Sequence, residues 1–539
     1  MKKQYDYLIP FLAAILIVIG LVTSSQVTDE GNDSKKNVNH KEKLIEVLDH
    51  ILDDYVDDVD ENEVVEKTIR SMLKDLDPHS VYIPAKDLQR ANEPLDGQFE
   101  GIGIEFDIME DTITVVSPIS GGPSEELGIR SGDKIVKIEG KVVAGTGVTN
   151  QDVIESLRGE KGTEVTVHIK RRGSDELLDF TITRDQIPIY SVDASYMIDD
   201  KSGYIKVNRF SSSTLREFMQ ALNELQEEGM ENLVLDLRNN PGGYLNASIQ
   251  MADQFLDNNQ KIVYTEGRSR PKQTFNASRR GNHKEGKLSV MINGGSASAS
   301  EIVSGAVQDW DRGIVVGRRS FGKGLVQEPF ELKDGSAVRL TVSRYYTPTG
   351  RSIQRPYDMD RDEYRREVIE RFNDGELHSR DSTHFPDSLK FSTPKGRTVY
   401  GGGGIMPDLF VPIDTTFDSD YFRKIDRQGI TRRFGFQYVD NNRDELKGRY
   451  SDFSTFSEQF NAADLKDEFV AFAEENDVEY DEKGWEKSGD NIKNRYKASI
   501  ARQLFDSEHA IRVRNEKDNV YLRAVESLYD GTFEEMGLE

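Results

Sequence analysis

Residues 288–327, LSVMINGGSASASEIVSGAVQDWDRGIVVGRRSFGKGLVQ, combine two apolar runs with serine-rich and glycine-rich turns. The first run is typical of a buried strand, Asn293-Gly294-Gly295 is typical of a turn, and a helix is predicted from Ser296 onward. A strand, a tight turn and a helix place a side chain at the carboxyl edge of a sheet, where the sites of α/β proteins concentrate. The free N–H groups of the helix start favour negative charge on a neighbouring atom.

The serines of this stretch have two interpretations. Ser296, Ser298 and Ser300 are ordinary capping residues for a helix start and need no chemistry. A predicted buried strand then leads to Lys323, which stands between two glycines, and the pairing suggests a serine nucleophile activated by lysine. The spacing does not choose among the three serines. A phosphate-binding loop is disfavoured because Gly324 follows Lys323, where that motif needs Ser or Thr.

Several motifs together resemble the carboxyl-terminal processing, or tail-specific, serine proteases. The S-A-S-A-S-E-I and F-G-K-G-x-V-Q segments of that family stand here at 296–302 and 321–327. The resemblance implies that Ser298 is the nucleophile, that Lys323 is the general base and that Gln327 orients the lysine. It extends over about residues 40–412, through D-P-H-S-x-Y at 77–82, LVLDLRNNPGG at 233–243 and G-I-x-P-D at 404–408.

The chemistry sets conditions on such a site. A free lysine has a pKa of about 10.4, so a lysine base at neutral pH needs roughly 4 kcal/mol of preference for the neutral amine. Burial favours that form, whereas the formal charge of −26 opposes it, so the pocket should be dry and free of carboxylates. Backbone N–H groups should stabilise the oxyanion, with Ala299, Gly242 and Gly243 as candidates. The two glycines would serve a plain strand-to-helix turn equally well.

Histidine-dependent catalysis is the weaker alternative. Asp309 follows Ser298 by eleven residues, which is about 16 Å along a continuous helix, so a structural role is expected. His168 lies on the outward face of a predicted strand, and His79 lies in a turn where capping suffices.

Residues 96–190 form a separate module with short alternating runs and glycine turns, which predicts a small β-rich domain. The module resembles a PDZ domain, and the resemblance makes Gly101, Ile102, Gly103 and Ile104 the loop that binds a peptide carboxylate. Such a domain adds an extended peptide to its sheet and holds the terminal carboxylate in backbone amides. A generic small β domain is the alternative.

The predicted fold class is multidomain α/β, with an α/β protease core, an inserted PDZ-like domain, an N-terminal helical segment and a C-terminal mostly helical extension. The predicted boundaries are 1–27 for a signal peptide or membrane anchor, 28–39 for a polar linker, 40–95 for the helical segment, 96–190 for the PDZ-like domain, 191–412 for the core with a polar surface insertion at about 355–400, and 413–539 for the acidic helical extension. The extension could cover the protease, mediate assembly or recruit a partner.

These observations predict a serine endopeptidase that uses a Ser/Lys dyad and acts on the C-terminal tails of unfolded or membrane-associated proteins. The N-terminal segment predicts a periplasmic or envelope location by export or anchoring. No metal or cofactor is expected, since the sequence has no cysteine and no HExxH. The acidity argues against nucleic acid, and a homo-oligomer or an adaptor protein could be a partner. Two rival functions are a silent PDZ scaffold and a hydrolase of small esters or amides.

Overall fold

The computed structural model describes residues 39–357, 361–383 and 385–538. The described residues divide into two compact units, one ending at Ser71 and the other beginning at Met72. Helix α1 (His40–Asp54) begins after Asn39, whose side chain accepts a hydrogen bond from Lys41 N, and helix α2 (Glu61–Lys74) follows and ends just past the boundary. The predicted signal or anchor at 1–27 lies outside the described residues. No helix within the described ranges is both long and apolar enough to cross a membrane.

The second unit begins with a short strand and a helix that lead into the PDZ-like module. The elements of this part are β1 (Val81–Ile83), α3 (Ala85–Asp96), β2 (Gln98–Gly101), β3 (Ile104–Met109), β4 (Thr112–Pro118), α4 (Pro123–Glu126), β5 (Lys134–Ile138), β6 (Lys141–Val142), α5 (Asn150–Leu157), β7 (Glu164–Lys170), β8 (Leu178–Thr183) and β9 (Asp185–Pro188).

The module is an antiparallel sheet in the order β3-β4-β5-β7-β8, with β6 paired to β5. Alternation along β7 buries Val165, Val167 and Ile169, as the sequence predicts, because successive side chains of a strand point to opposite faces. Strand β2 pairs with β9, so the two ends of the module leave side by side. Because its two ends lie side by side, the module can be inserted as a complete domain between the elements before β2 and those after β9. Strand β3 lies at the edge of the sheet.

The predicted protease core follows with alternating strands and helices. Its elements are β10 (Val192–Met197), β11 (Ser202–Val207), α6 (Thr214–Glu227), β12 (Asn232–Asp236), α7 (Leu245–Asp253), β13 (Lys261–Gly267), β14 (Arg270–Asn276), β15 (Leu288–Ile292), α8 (Ala299–Asp309), β16 (Ile314–Gly317), β17 (Leu325–Glu331), β18 (Ala337–Tyr346), α9 (Arg361–Asn373), β19 (Lys390–Ser392), β20 (Thr398–Tyr400) and β21 (Leu409–Phe410).

A six-stranded sheet, ordered β10-β11-β12-β15-β16-β21, forms the centre of this core. It is parallel from β11 to β21, and its central strands are almost continuously apolar because parallel sheets are covered on both faces. Helices α6, α7 and α8 cover one face. A second sheet, β1-β18-β13-β14 with β17 paired to β18, carries the residues that follow Lys323.

The C-terminal extension is helical, as predicted. Its helices are α10 (Asp420–Arg427), α11 (Ile430–Arg449), α12 (Phe453–Gln459), α13 (Lys466–Glu475), α14 (Glu482–Leu504), α15 (Ser507–Asn515), α16 (Asn519–Ser527) and α17 (Thr532–Glu535). Helices α10 to α15 enclose an aromatic core of their own, in which an apolar stripe of α14, Ile492, Tyr496 and Ile500, is buried. Helices α16 and α17 instead cover the second face of the six-stranded sheet. Covering the α/β core is therefore one role of the extension.

Most described residues of the polar segment 355–400 are exposed or half-buried, but a few of its charged residues are buried. Arg355, Arg371 and Glu376 are buried, at 2%, 5% and 7% exposure. Burial is tolerated because opposite charges are paired, as in the 2.5 Å contact between Arg319 and Glu376. Arg371 also donates to the carbonyl of Ser320 at 2.9 Å, so this segment supports the loop that carries Lys323.

Candidate active site

Ser298 lies at the junction between strand β15 and helix α8. The helix begins at Ala299, three residues later than predicted, and Ser298 is its N-terminal cap residue. Its φ of 54° is positive, which costs a residue other than glycine about 1–3 kcal/mol and occurs preferentially at functional sites. The backbone at Ser298 is therefore held in a strained turn by its surroundings.

The three serines that the spacing could not separate have different environments. The hydroxyl of Ser296 donates to the carbonyl of Leu237 at 2.8 Å, and that of Ser300 donates to the carbonyl of Asn240 at 2.9 Å. Both side chains are fully buried. Ser298 is half-buried and lines a cavity of about 1130 Å³. Of the three, only Ser298 can meet a substrate.

Lys323 reaches the same cavity from the loop between β16 and β17. Its Nζ donates to Oε1 of Gln327 at 2.9 Å, and Nε2 of Gln327 donates to the carbonyl of His79 at 2.7 Å. The hydroxyl of Tyr345 lies 3.1 Å from the carbonyl of Ser298 and 2.7 Å from that of Lys323. Tyr345 thus fixes the serine turn and the lysine loop relative to each other.

Burial is the main reason that the pKa of Lys323 lies below its ordinary value, and the positive charge of Arg339 lowers it further. Asp77 and Glu301 act in the opposite direction. The prediction of a pocket without carboxylates is therefore wrong. The net effect is still a lowered pKa of Lys323, because burial outweighs the two acids.

Glu301 is the important residue that the sequence analysis missed. Its fully buried carboxylate accepts from Ser298 N at 2.8 Å and Lys323 N at 2.9 Å through Oε2. Oε1 accepts from Gly322 N at 2.7 Å and from the Ser320 hydroxyl at 2.5 Å. Burial raises the pKa of Glu301. A Glu three residues after a Ser at a helix start is the pattern of a capping box, which could have revealed it.

The predicted oxyanion donors also line this cavity. A Cβ atom added to Gly242 would lie 2.8 Å from Cβ of Ser298, so only glycine permits this approach. The N–H of Gly242 is engaged by Oδ1 of Asn240 at 2.9 Å. Within the described ranges, the N–H groups of Gly243 and Ala299 show no acceptor. These two groups are the donors that remain for a substrate oxygen.

The predicted peptide-binding loop lies in the PDZ-like module and contributes nothing to the catalytic cavity. Gly101 ends β2, Ile102 is 3% exposed, Gly103 has a φ of 72° and Ile104 begins the edge strand β3. Ser124 N donates to the carbonyl of Ile102, at 3.1 Å, and Ile119 N donates to that of Gly103, at 2.9 Å. The loop is thus anchored through its carbonyl groups.

The alternatives to a lysine base have structural roles. Asp309 is buried against Arg351, with 2.7 Å between the charged groups. His168 pairs with Asp179 on the exposed side of β7. The ring of His79 contacts the Tyr364 hydroxyl at 3.0 Å, and burial lowers the pKa of His79 to about 4. None of the three side chains lines the cavity of Ser298.

Comparison with known proteins agrees with this geometry. The chain matches peptidase family S41 over residues 201–362, a PDZ domain over 101–182 and the N-terminal domain of the activating protease CtpB over 18–87. Residues 421–506 match a family of unknown function, DUF8443.

Two bacterial relatives match over most of their length. A carboxy-terminal-processing protease of Bartonella bacilliformis is 36% identical over 349 residues, which cover 64% of this chain and 79% of the relative. The carboxy-terminal processing protease CtpA of Bacillus subtilis is 33% identical over 363 residues, or 66% of this chain and 76% of the relative. The chain belongs to peptidase family S41. It is a serine peptidase with a PDZ domain, which confirms the predicted family and fold class.

Proposed function

We propose that this enzyme cleaves protein substrates whose C-terminal tails its PDZ domain binds, and that Ser298, Lys323 and Gln327 carry the reaction. The observation that carries the proposal is that one cavity holds the serine, the lysine and two backbone N–H donors. A hydroxyl, a base with a lowered pKa and an oxyanion site are the parts that acyl transfer requires.

The reaction follows from the roles of these groups. The neutral amine of Lys323 accepts the proton of Ser298 as Oγ attacks the peptide carbonyl. The N–H groups of Gly243 and Ala299 donate to the oxyanion that forms. The Lys323 ammonium then protonates the leaving amine, and water hydrolyses the acyl ester with Lys323 again as base. Gln327 is a positioning residue, because its Oε1 holds the amine at 2.9 Å.

The PDZ domain selects substrates by binding their C-terminal ends. Strand β3 is an edge strand, so an extended tail can add to it through backbone hydrogen bonds. The N–H groups of the loop from Gly101 to Ile104 would bind the terminal carboxylate. This arrangement favours the protease over a hydrolase of small esters or amides, which needs no tail, and the cavity of Ser298 and Lys323 favours it over a silent scaffold.

The proposed location is the periplasm or cell envelope. The apolar run from Tyr7 to Val22 supports export or anchoring of the protease outside the cytoplasm. The substrates would be unfolded or membrane-associated proteins of that compartment. Assembly into a homo-oligomer, or recruitment by an adaptor, is supported by the apolar side chains that α1 exposes, among them Leu44 and Val47 at 49% and 47%.

The test is cleavage of an unfolded reporter protein with an apolar C-terminal tail by the purified full chain. We expect Ser298→Ala and Lys323→Ala each to lower kcat/KM by roughly 10⁴-fold or more, as in other dyads and triads that act as a unit. A reporter with an amidated C terminus should show a raised KM, because the PDZ loop loses its carboxylate. Undiminished cleavage by Lys323→Ala would reject the assigned base.

A further inference from the structure

A second cavity, of about 520 Å³, lies between the C-terminal helices and the catalytic sheet and shares no residue with the cavity of Ser298. Arg318, which follows β16, forms its wall on the core side. Its other cationic residues come from the helical extension and are Arg432, Arg495, Arg502, Arg514 and Lys517. We refer to this cavity as the arginine cleft.

The cleft carries an excess of positive charge. Six cationic side chains line it against three carboxylates, Asp414, Asp426 and Asp518. Two of these acids are already paired, Asp426 with Arg495 and Asp518 with Arg238, which lies outside the cleft. Three of the cations, Arg432, Arg495 and Arg502, are in ion pairs with carboxylates, and the other three are Arg318, Arg514 and Lys517. In a chain with a formal charge of −26, six cations lining one cavity are unexpected.

Two arginines of the cleft, Arg318 and Arg514, form no ion pair within the residues that the structure describes. Within the described part of the chain, the guanidinium of Arg514 has neither a hydrogen-bond acceptor nor an ion-pair partner. Arg514 is exposed at one side, but its partial desolvation in the cleft and the neighbouring charges of Arg502 and Arg495 lower the pKa of Arg514. Among the described residues, Arg318 donates only to the carbonyl of Val411, at 3.3 Å, and the charge of Asp518 acts on it without an ion pair. Like charges held together in a partly enclosed space repel, and a bound anion would relieve that repulsion.

We propose that the arginine cleft binds a small multivalent oxyanion of the phosphate class. Guanidinium groups present paired N–H donors that match the oxygens of a phosphoryl group, and several of them converge here. The volume admits a molecule larger than a single phosphate. The lining is mostly polar, with Ile413 and Phe417 as its apolar members, so charge and not apolar contact would select the ligand. This site is separate from the proposed proteolytic function.

The cleft also connects to the PDZ domain. Arg502 lies 2.6 Å from Glu105, and Arg432 lies 2.8 Å from Asp107, both on the edge strand β3. An anion in the cleft would compete with these carboxylates for the same two arginines. Binding would therefore weaken the attachment of β3 to the helical extension.

Calorimetric titration of the full chain with pyrophosphate, in metal-free buffer at low salt, tests the proposal. We expect saturable binding and a raised melting temperature. Arg514→Ala and Arg318→Ala should each weaken binding tenfold or more, because each removes charge-assisted hydrogen bonds to the anion. Within the described residues, the Arg514 side chain makes no hydrogen bond or ion pair that its replacement would break, so that variant should fold normally, which circular dichroism checks.

Arg427→Ala is the matched control, since Arg427 is an exposed arginine of the same helical extension that does not line the cleft. Its affinity for pyrophosphate should be unchanged. Inorganic phosphate should bind more weakly than pyrophosphate but at the same site, and citrate at least tenfold more weakly still. Absence of binding, equal losses in Arg427→Ala and Arg514→Ala, or citrate binding as tight as pyrophosphate would overturn the proposal.

Discussion

The amine of Lys323 is subject to opposing influences that the structure makes explicit. Burial and the charge of Arg339 lower its pKa, while Asp77 and Glu301 raise it. Glu301 also has a structural role, because its carboxylate accepts hydrogen bonds from the backbone N–H groups of both Ser298 and Lys323. An acid close to the base is thus needed for geometry, and burial compensates for its electrostatic effect on the lysine.

The activity should rise with pH, because the neutral amine is the form that accepts the proton of Ser298. The rising limb of kcat/KM should have its midpoint below 10.5, the ordinary value for lysine, since the pKa of Lys323 is lowered. Arg339→Gln removes a cation that favours the neutral amine, so the pKa rises and the limb moves to higher pH. The pH profile of kcat/KM measures this shift.

Arg344→Gln serves as the control for this prediction. Arg344 lies on the same strand β18, is exposed and contacts the Tyr357 hydroxyl at 3.2 Å. Its replacement should leave the midpoint in place. A midpoint that moves to lower pH in Arg339→Gln, or equally in both variants, would contradict the assigned effect of Arg339.

Helices α16 and α17 form the layer that covers the second face of the six-stranded sheet in the catalytic domain. Val520, Tyr521 and Phe533 pack on the sheet face opposite α8, among residues of β11, β12, β15 and β16. Asp518 caps α16 and binds Arg238, which follows β12, at 2.7 Å. The last helices of the chain are therefore part of the hydrophobic core that positions Ser298.

Phe533→Ala should destabilise the protein by about 3–5 kcal/mol, the usual cost of removing a fully buried aromatic ring. Phe533 is 1% exposed, whereas Leu522, in the same segment, is 49% exposed. Leu522→Ala should consequently change the free energy of unfolding by less than about 0.5 kcal/mol. Chemical denaturation followed by circular dichroism gives both values. Similar losses in the two variants would show that α17 is not part of the core.

The helical extension also joins the PDZ domain to the protease core. Besides the two ion pairs of β3, Arg172 bonds to Asn441, and the Ser131 hydroxyl donates to Gln503 at 2.7 Å. These contacts are polar and partly exposed, unlike the apolar packing of α16 and α17. They restrain the PDZ domain but do not make it part of the hydrophobic core.

The double variant Arg432→Gln/Arg502→Gln should release β3 while leaving the melting temperature nearly unchanged. Partly exposed ion pairs contribute only about 0.2–1 kcal/mol each, so their loss affects mobility more than overall stability. Hydrogen exchange of residues 104–109 should become faster than in the parent chain. Arg427→Gln is the control and should exchange like the parent. Unchanged exchange in the double variant would show that these ion pairs do not restrain the strand.

The local secondary structure and the candidate catalytic residues could be predicted from the sequence. The strand, turn and helix around Ser298, the alternation that buries Val165 and Val167, and the stripe of α14 all depend on neighbouring residues, whose spacing is visible in the chain. The motif resemblance predicted Ser298, Lys323 and Gln327, and the fold places all three at one cavity.

Long-range placement was decided by the tertiary structure alone. Nothing in the spacing shows that Glu301 would also accept from Lys323 N, that Arg371 and Glu376 would be buried, or that α17 would complete the sheet. These outcomes depend on which distant surfaces become covered and which charges meet. Burial and ion pairing act on these charged residues only in the folded chain. Composition alone therefore predicts that charged residues are exposed, even where tertiary contacts bury them.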